Sequence, residues 1–201
     1  MVETDSLASM VMALAPADQE RVREYIAFLR WRDAATAIPT APAQPERLWR
    51  FSFLEHFAEA DVRASQDAAG MEVMIGEATV GGERRPALWQ HPPVMGESRV
   101  EFHVPVPAGL AAPGARLRFS IGMRDGAHAA DGLVAYRVRV DGWQIWNRAA
   151  WPAAWQPFEI GLPFQAGNVL RLTFATDALG SHPFAWAVWG EPELVGATES
   201  L

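Results

Sequence analysis

A short run of tryptophans with polar neighbours gives this chain its clearest candidate binding chemistry. Trp143, Trp146 and Trp151 lie close together, and Asn147 and Arg148 stand between them. An indole ring can stack on the C–H face of a pyranose, while amide and guanidinium groups hydrogen-bond to the sugar hydroxyls. We therefore take these five residues as a candidate glycan site.

Packing is the alternative role for the same tryptophans. Large aromatic side chains near strand ends commonly fill the rim of a core, where each contributes on the order of a few kcal/mol by burial. We assign Trp155, Trp186 and Trp189 to the core or its edge. For the first three tryptophans, packing and glycan binding both remain open.

Acidic residues in the turn-rich segments are candidate ligands for a structural calcium ion, because hard cations prefer carboxylate oxygens. None of them has the spacing of an EF-hand, and Asp-Gly pairs are in the first place turn formers. Apart from this calcium ion we expect no cofactor. The candidate ligands are Asp125, Asp131, Asp141, Asp177 and Glu191.

No catalytic residues are assigned. The sequence contains no G-x-S-x-G elbow and no recognisable Ser/His/Asp order, and its five histidines are scattered without an H-x-x-x-H pair. Cysteine is absent, which excludes disulfides, thiolate metal sites and thiol nucleophiles. We therefore expect a protein that is not an enzyme.

Charge and hydropathy narrow the range of partners. The 201 residues carry a formal net charge of −7, and all basic residues are arginine. An acidic chain is a poor match for the phosphate backbone, so no nucleic acid is expected. The N-terminus has no secretory pattern, and no apolar run approaches the roughly 20 residues of a membrane span. We expect a cytoplasmic protein without a transmembrane segment, with export by another route left open.

The chain divides into four segments. Apolar residues at helical spacing predict a helical hairpin, or arm, over residues 1–33, and three prolines predict an extended linker over residues 34–46. Residues 47–195 form the main domain, and residues 196–201 form a tail. Apolar side chains on more than one side of the arm predict a surface for a protein partner or a second copy of the chain. That surface comprises Val22, Tyr25, Ile26, Phe28, Leu29 and Trp31.

The main domain alternates short apolar runs with tight turns. Runs such as LRFSIGM, VAYRVRV and VLRLTFATDA are separated by Asp-Gly, Ala-Gly or Leu-Gly turns. This pattern is typical of antiparallel strands in a sandwich. The predicted fold is mainly β, an antiparallel jelly-roll β-sandwich with an N-terminal helical hairpin.

Several motifs of the main domain resemble galactose-binding-like jelly-roll domains, including carbohydrate-binding modules of the NPCBM type. They are HPP at residues 91–93, SRVEFHVPVP at 98–107, LRFSIGMRDGA, the VRVDG turn, W-x-P-F-E-I-G-L and the closing WAVWGEPEL. The resemblance implies a sandwich that serves as a lectin-like module, an oligomerisation domain or an accessory domain.

The arm segment LAPADQERVREYIAFLRWRD resembles a helical module of small bacterial proteins related to antitoxins, which implies oligomerisation. Our main functional prediction is accordingly a non-catalytic structural or accessory subunit that associates with itself or a larger assembly through its arm and sandwich surface. The alternative is a carbohydrate-binding module that recognises a glycan through the tryptophans around residue 147.

Overall fold

The structure is a computed structural model. It describes residues 47–110, 115–128, 132–162, 167–180 and 183–198, together with nine isolated positions between Val11 and Ile26. The chain divides into two compact units, Met1–Pro42 and Ala43–Leu201, and every strand named below lies in the second.

Eleven strands and one short 3-10 helix, Phe57–Glu59, make up the described part of the second unit. The strands are β1 (Arg47–Ser52), β2 (Asp61–Ala64), β3 (Glu72–Val80), β4 (Glu83–His91), β5 (Glu97–Pro105), β6 (Arg116–Met123), β7 (Val134–Val140), β8 (Trp143–Ala150), β9 (Gln156–Gly161), β10 (Val169–Ala178) and β11 (Ala187–Thr198).

The strands form two antiparallel sheets. The six-stranded sheet has the order β3-β4-β11-β6-β9, and β1 pairs with another part of β11; the five-stranded sheet has the order β2-β5-β10-β7-β8. Non-consecutive strands are neighbours in both sheets, as in a jelly roll. The prediction of a mainly β, antiparallel sandwich is confirmed.

Alternating side chains explain why β7 turns one side towards the core. In β7, Val134, Tyr136 and Val138 are buried, whereas the intervening Arg137 and Arg139 lie on the outer face. The chain then reverses through Asp141 and Gly142, both with positive φ, which is the conformation of a two-residue hairpin turn. The Asp-Gly turn predicted from the sequence is therefore present.

The core lies between the sheets and is rich in aromatic rings. Trp189 is fully buried, with its ring centroid 4.9 Å from that of Phe174 and 5.2 Å from that of Tyr136. Phe53 adds edge contacts at 4.9 Å to Phe102 and 5.0 Å to Phe174. The assignment of Trp189 to the core is confirmed.

One polar side chain crosses this core. Gln90 on β4 is fully buried, and its amide accepts a hydrogen bond from Trp189 Nε1 at 2.7 Å. The same amide donates to the carbonyls of Ser98 at 3.1 Å and Phe174 at 3.0 Å, both in the other sheet. The hydroxyl of Thr176 donates to the Gln90 carbonyl at 2.7 Å. Gln90 thus connects the two layers by hydrogen bonds that water cannot replace.

The N-terminal helical hairpin is not supported. Most of residues 1–33 and all of 34–46 lie outside the described residues, and no α-helix is delimited among the residues that are described. At the other end, β11 continues to Thr198, beyond the predicted limit of the sandwich at residue 195. It does so because Gly196, Ala197 and Thr198 pair with Trp49, Leu48 and Arg47 of β1.

Replacing Gln90 by leucine tests the contribution of the crossing amide to stability. Gln90→Leu leaves the buried N–H of Trp189 without an acceptor, so we expect the free energy of unfolding to fall by about 2–4 kcal/mol. Guanidinium denaturation followed by tryptophan fluorescence measures it. Gln144→Leu makes the same change on exposed β8 and should alter stability by less than about 0.5 kcal/mol. Equal losses of unfolding free energy in the two variants would contradict the stabilising role of the Gln90 amide.

Candidate functional site

The five residues of the predicted glycan site all lie on or next to β8, an edge strand of the five-stranded sheet. Trp143 is 38% exposed, and Asn147 and Arg148 are exposed. Trp146 is half-buried, with its ring 4.9 Å from Phe119 and 4.8 Å from Phe158. The strand thus presents polar groups and one accessible indole, while a second indole packs inward.

Strand geometry divides these residues between two faces. Trp146 lies opposite the buried Val138, whereas Asn147 lies opposite Arg137 on the outer face. Trp151, just beyond β8, is half-buried and packs against the core. A glycan could contact Trp143 without the other indoles, so a site made of all five residues stays a prediction.

A second aromatic group lies on the outer face of the six-stranded sheet and in the loops beside it. The guanidinium carbon of Arg124 lies 3.4 Å from the ring centroid of Trp89 and 5.3 Å from that of Trp186. The ring of Trp186 is 5.7 Å from Phe184, which stacks on His128 at 4.1 Å and 19°. We call these five residues the aromatic platform.

Three segments that are far apart in the chain position the platform. Trp89 lies on β4 opposite Val188, and its indole lies beside Gly76 of β3. Arg124 and His128 belong to the segment after β6, whereas Phe184 and Trp186 precede β11. The backbone N–H of Arg124 donates to the carbonyl of Trp186 at 3.0 Å, which joins the two loop segments.

Phe184 has an unusual backbone conformation. Its φ is 62°, in the left-handed region that bulky side chains rarely adopt, and its side chain is 44% exposed. Such strain costs roughly 1–3 kcal/mol and is concentrated at functional positions. The loop therefore holds an apolar ring partly in solvent at a cost in backbone energy.

The guanidinium of Arg124 has N–H donors that no described residue uses. It is half-buried between two indoles and forms neither a salt bridge nor a hydrogen bond with any described residue. Burial lowers the pKa of Arg124 from its usual value, and the negative charge of Glu72 acts in the opposite direction. Arg124 remains charged at neutral pH and can donate to the hydroxyls of a ligand beside Phe184.

Trp155 and Trp186 were both expected at the core or its edge. Trp155 is buried in a small cluster on the outer face of the six-stranded sheet, and its Nε1 donates to the Glu83 carbonyl at 3.0 Å. Trp186 is half-buried within the aromatic platform.

An ionic network covers the outer face of the five-stranded sheet. The carboxylate of Glu97 accepts hydrogen bonds from Arg99 Nε at 2.6 Å, Arg139 Nη2 at 2.9 Å and Arg137 Nη1 at 3.1 Å. Arg137 also pairs with Asp177 at 3.3 Å. Burial by itself would raise the pKa of Glu97, but the hydrogen bonds and charges of Arg139 and Arg99 outweigh it and hold that pKa below the ordinary value.

The candidate calcium ligands are dispersed over the structure. Asp125 accepts hydrogen bonds from the N–H groups of Gly81 and Gly82, Asp141 accepts from the N–H of Arg171, and Asp177 pairs with Arg137. Glu191 lies 4.0 Å from Arg85, and Asp131 is outside the described residues. In the part of the chain that the structure describes, no three His, Asp or Glu side chains are grouped so as to hold a metal ion.

The predicted partner surface of the arm is almost entirely outside the described residues. Only Val22, which is half-buried, and Ile26, which is exposed, are described. Tyr25, Phe28, Leu29 and Trp31 are not, so association through the arm stays a prediction. No helix among the described residues is long and apolar enough to cross a membrane.

Comparison with solved structures identifies the class of fold. No protein-family model matches the chain, and no curated protein is similar to it. The tandem family 51 carbohydrate-binding modules of a family 98 glycoside hydrolase from Streptococcus pneumoniae superpose with a TM-score of 0.53 at 10% identity. That match covers 77% of this chain and 49% of the other, so the chain spans about half of the two-module structure.

Two further structures are similar at a lower level. A family 51 carbohydrate-binding module from Clostridium perfringens, in complex with methyl-galactose, has a TM-score of 0.46 at 10% identity, covering 73% of this chain and 99% of that one. A family 11 module from Clostridium thermocellum, in complex with a β-1,3-1,4-mixed-linked tetrasaccharide, has a TM-score of 0.42 at 12% identity. That match covers 79% of this chain and 100% of the other.

The predicted resemblance to galactose-binding-like sandwiches is therefore confirmed at the level of the fold. At 10% identity, the likeness to these carbohydrate-binding modules is one of architecture.

The low pKa of Glu97 predicts an acid-dependent loss of stability. A carboxyl group whose pKa is lower in the folded than in the unfolded state stabilises the fold above the unfolded pKa, and this contribution disappears as pH falls through the folded pKa. The folded state should therefore weaken progressively below about pH 4.5. Denaturation of the wild type and Glu97→Gln at several pH values measures the difference.

Glu97→Gln should be less stable than the wild type at neutral pH, and the gap should narrow as the solution is acidified. Glu77→Gln, at an exposed position of β3, is the matched control, and its free energy of unfolding should change with pH as that of the wild type does. A gap between the wild type and Glu97→Gln that stays constant across the acid range would contradict the assignment.

Proposed function

We propose that this protein is a carbohydrate-binding module that holds a glycan against the aromatic platform. The observation that carries the proposal is Phe184, whose half-exposed ring is maintained in a strained backbone conformation beside Trp186 and His128. A ring that served packing alone would gain more from full burial and from an unstrained backbone.

The chemistry of the platform suits a neutral sugar ring. The ring of Phe184, which is 44% exposed, offers an apolar surface for the C–H face of a pyranose. Arg124 supplies donors for hydroxyl oxygens, and Glu72, whose negative charge acts on Arg124, supplies an acceptor on the same side of the sheet. Small-molecule sites typically combine an apolar surface with a small number of polar groups at its border.

Similarity of fold supports the module class. Structures of carbohydrate-binding modules, among them the tandem modules from the Streptococcus pneumoniae glycoside hydrolase, share the sandwich. Because identity to that structure is only 10%, the ligand and the residues that contact it are inferred from this chain's own geometry. The group around β8 is the competing location for the glycan.

Substitution of Phe184 tests both the function and the location. A glycan array identifies a ligand of the wild type, and calorimetry then compares the variants. Phe184→Gly removes the ring but suits the left-handed backbone, so it should fold normally and bind roughly tenfold more weakly or worse. Phe184→Tyr keeps the aromatic face and should retain binding.

Trp143→Ala is the matched change at the competing location, where the indole is also partly exposed. We expect it to bind the glycan like the wild type. Loss of binding in Trp143→Ala with retention in Phe184→Gly would refute the platform as the site. Absence of any ligand on an array of neutral and acidic glycans would refute the function.

A further inference from the structure

A pocket of about 250 Å³ opens on the outer face of the five-stranded sheet, away from the aromatic platform. It is lined by Arg63, Arg99, Glu101, Arg139, Gly142 and Thr173. Four neighbouring strands and the β7–β8 turn contribute to it. A pocket of this size accommodates a group about as large as a single sugar residue.

The arginines that line this pocket are arranged in an electrostatically costly way. Arg63 on β2 lies directly opposite Arg99 on β5, and like charges at such a pair repel each other. Asp61 and Glu101 form a second like-charged pair in the next row, and Asp61 pairs with Arg63. A negatively charged group between Arg63 and Arg99 would remove the repulsion between them.

The hydrogen-bond donors of these arginines are not all matched by acceptors in the pocket. Glu97 is shared by Arg99, Arg137 and Arg139, and of these three Arg137 also pairs with Asp177. Nη1 of Arg139 is closed off from solvent and has no hydrogen-bond partner among the described residues. Arg63 pairs with a single carboxylate, that of Asp61, and its side chain is 53% exposed.

In the row that contains Arg139, the pocket also presents groups suited to hydroxyls. Thr173 donates from its hydroxyl to the carboxylate of Glu101 at 3.3 Å. A carboxylate beside a threonine can accept hydrogen bonds from sugar hydroxyl groups but repels a bare anion. Glu101 can therefore bind a ligand that carries hydroxyls, which a simple anion does not offer.

We propose that this pocket is a second binding site, selective for a sugar acid. The carboxylate of a uronic acid residue would lie between Arg63 and Arg99, where planar guanidinium groups match its geometry, and its hydroxyls would bond to Glu101 and Thr173. The site is on the sheet opposite to that of Trp89, so it acts independently of the aromatic platform.

Titration of the full chain with monosaccharides, followed by amide resonances in ¹⁵N-labelled protein, tests the proposal. Sodium galacturonate should shift the signals of Arg99, Glu101 and Thr173. Galactose, which lacks the carboxylate, and sodium acetate, which lacks the hydroxyls, should shift them little at the same concentration. Raising the ionic strength should weaken the galacturonate effect.

Arg63→Gln should reduce galacturonate affinity roughly tenfold, the usual result of losing one charge-assisted hydrogen bond. Arg84→Gln is the matched control, because Arg84 is likewise exposed and paired with one carboxylate, Glu77, but lies on the other sheet. Phe184→Gly should leave the galacturonate titration unchanged, which separates this site from the proposed function.

Equal shifts with acetate would show that the arginines collect any small anion, and the proposal would fail. Equal affinities in Arg63→Gln and Arg84→Gln, or no shift of the three resonances with galacturonate, would overturn it as well.

Discussion

A single buried amide links the two sheets by hydrogen bonds. Gln90 receives a hydrogen bond from Trp189 of its own sheet and donates to two carbonyls of the other, and its side chain is fully buried. Because side chains alternate along β4, an inward Gln90 requires an outward Trp89. Arg124 stacks on that outward indole. The internal hydrogen bonds and the external aromatic platform therefore depend on the same register of one strand.

Much of the sandwich could be predicted because its strands are locally consistent. Alternation in β7 and the Asp-Gly turn after it follow from residue types alone, and the structure has both. Strand order could not be predicted in the same way. The pairing of β11 with β1, β4 and β6 depends on contacts between residues more than 60 positions apart, for which one sequence gives no signal. The continuation of β11 to Thr198 was missed for that reason.

The candidate site was harder to predict than the fold. Tryptophans close together in the sequence led to the prediction of a glycan site on β8. Side-chain alternation places Trp146 and Asn147 of that strand on different faces. The platform draws Trp89, Arg124 and Phe184 from three separate segments, so no local motif unites them. The left-handed backbone of Phe184 could not be predicted from its residue type, because glycine or asparagine usually occupies such a position. The alternation in PFAW resembles an ordinary strand, which explains why Trp186 was assigned to the core edge.

The two outer faces of the sandwich use arginine in different ways. Arg124 has aromatic partners and no ion pair with a described residue, so its guanidinium has donors that a ligand could use. On the other sheet, Arg99, Arg137 and Arg139 converge on Glu97, and Arg137 also pairs with Asp177, so each of these guanidinium groups has a carboxylate partner. Guanidinium groups remain charged throughout the physiological range, so burial and partners, rather than titration, decide what each can bind. The two faces of one fold therefore differ in what their arginines contact, indoles on one sheet and carboxylates on the other.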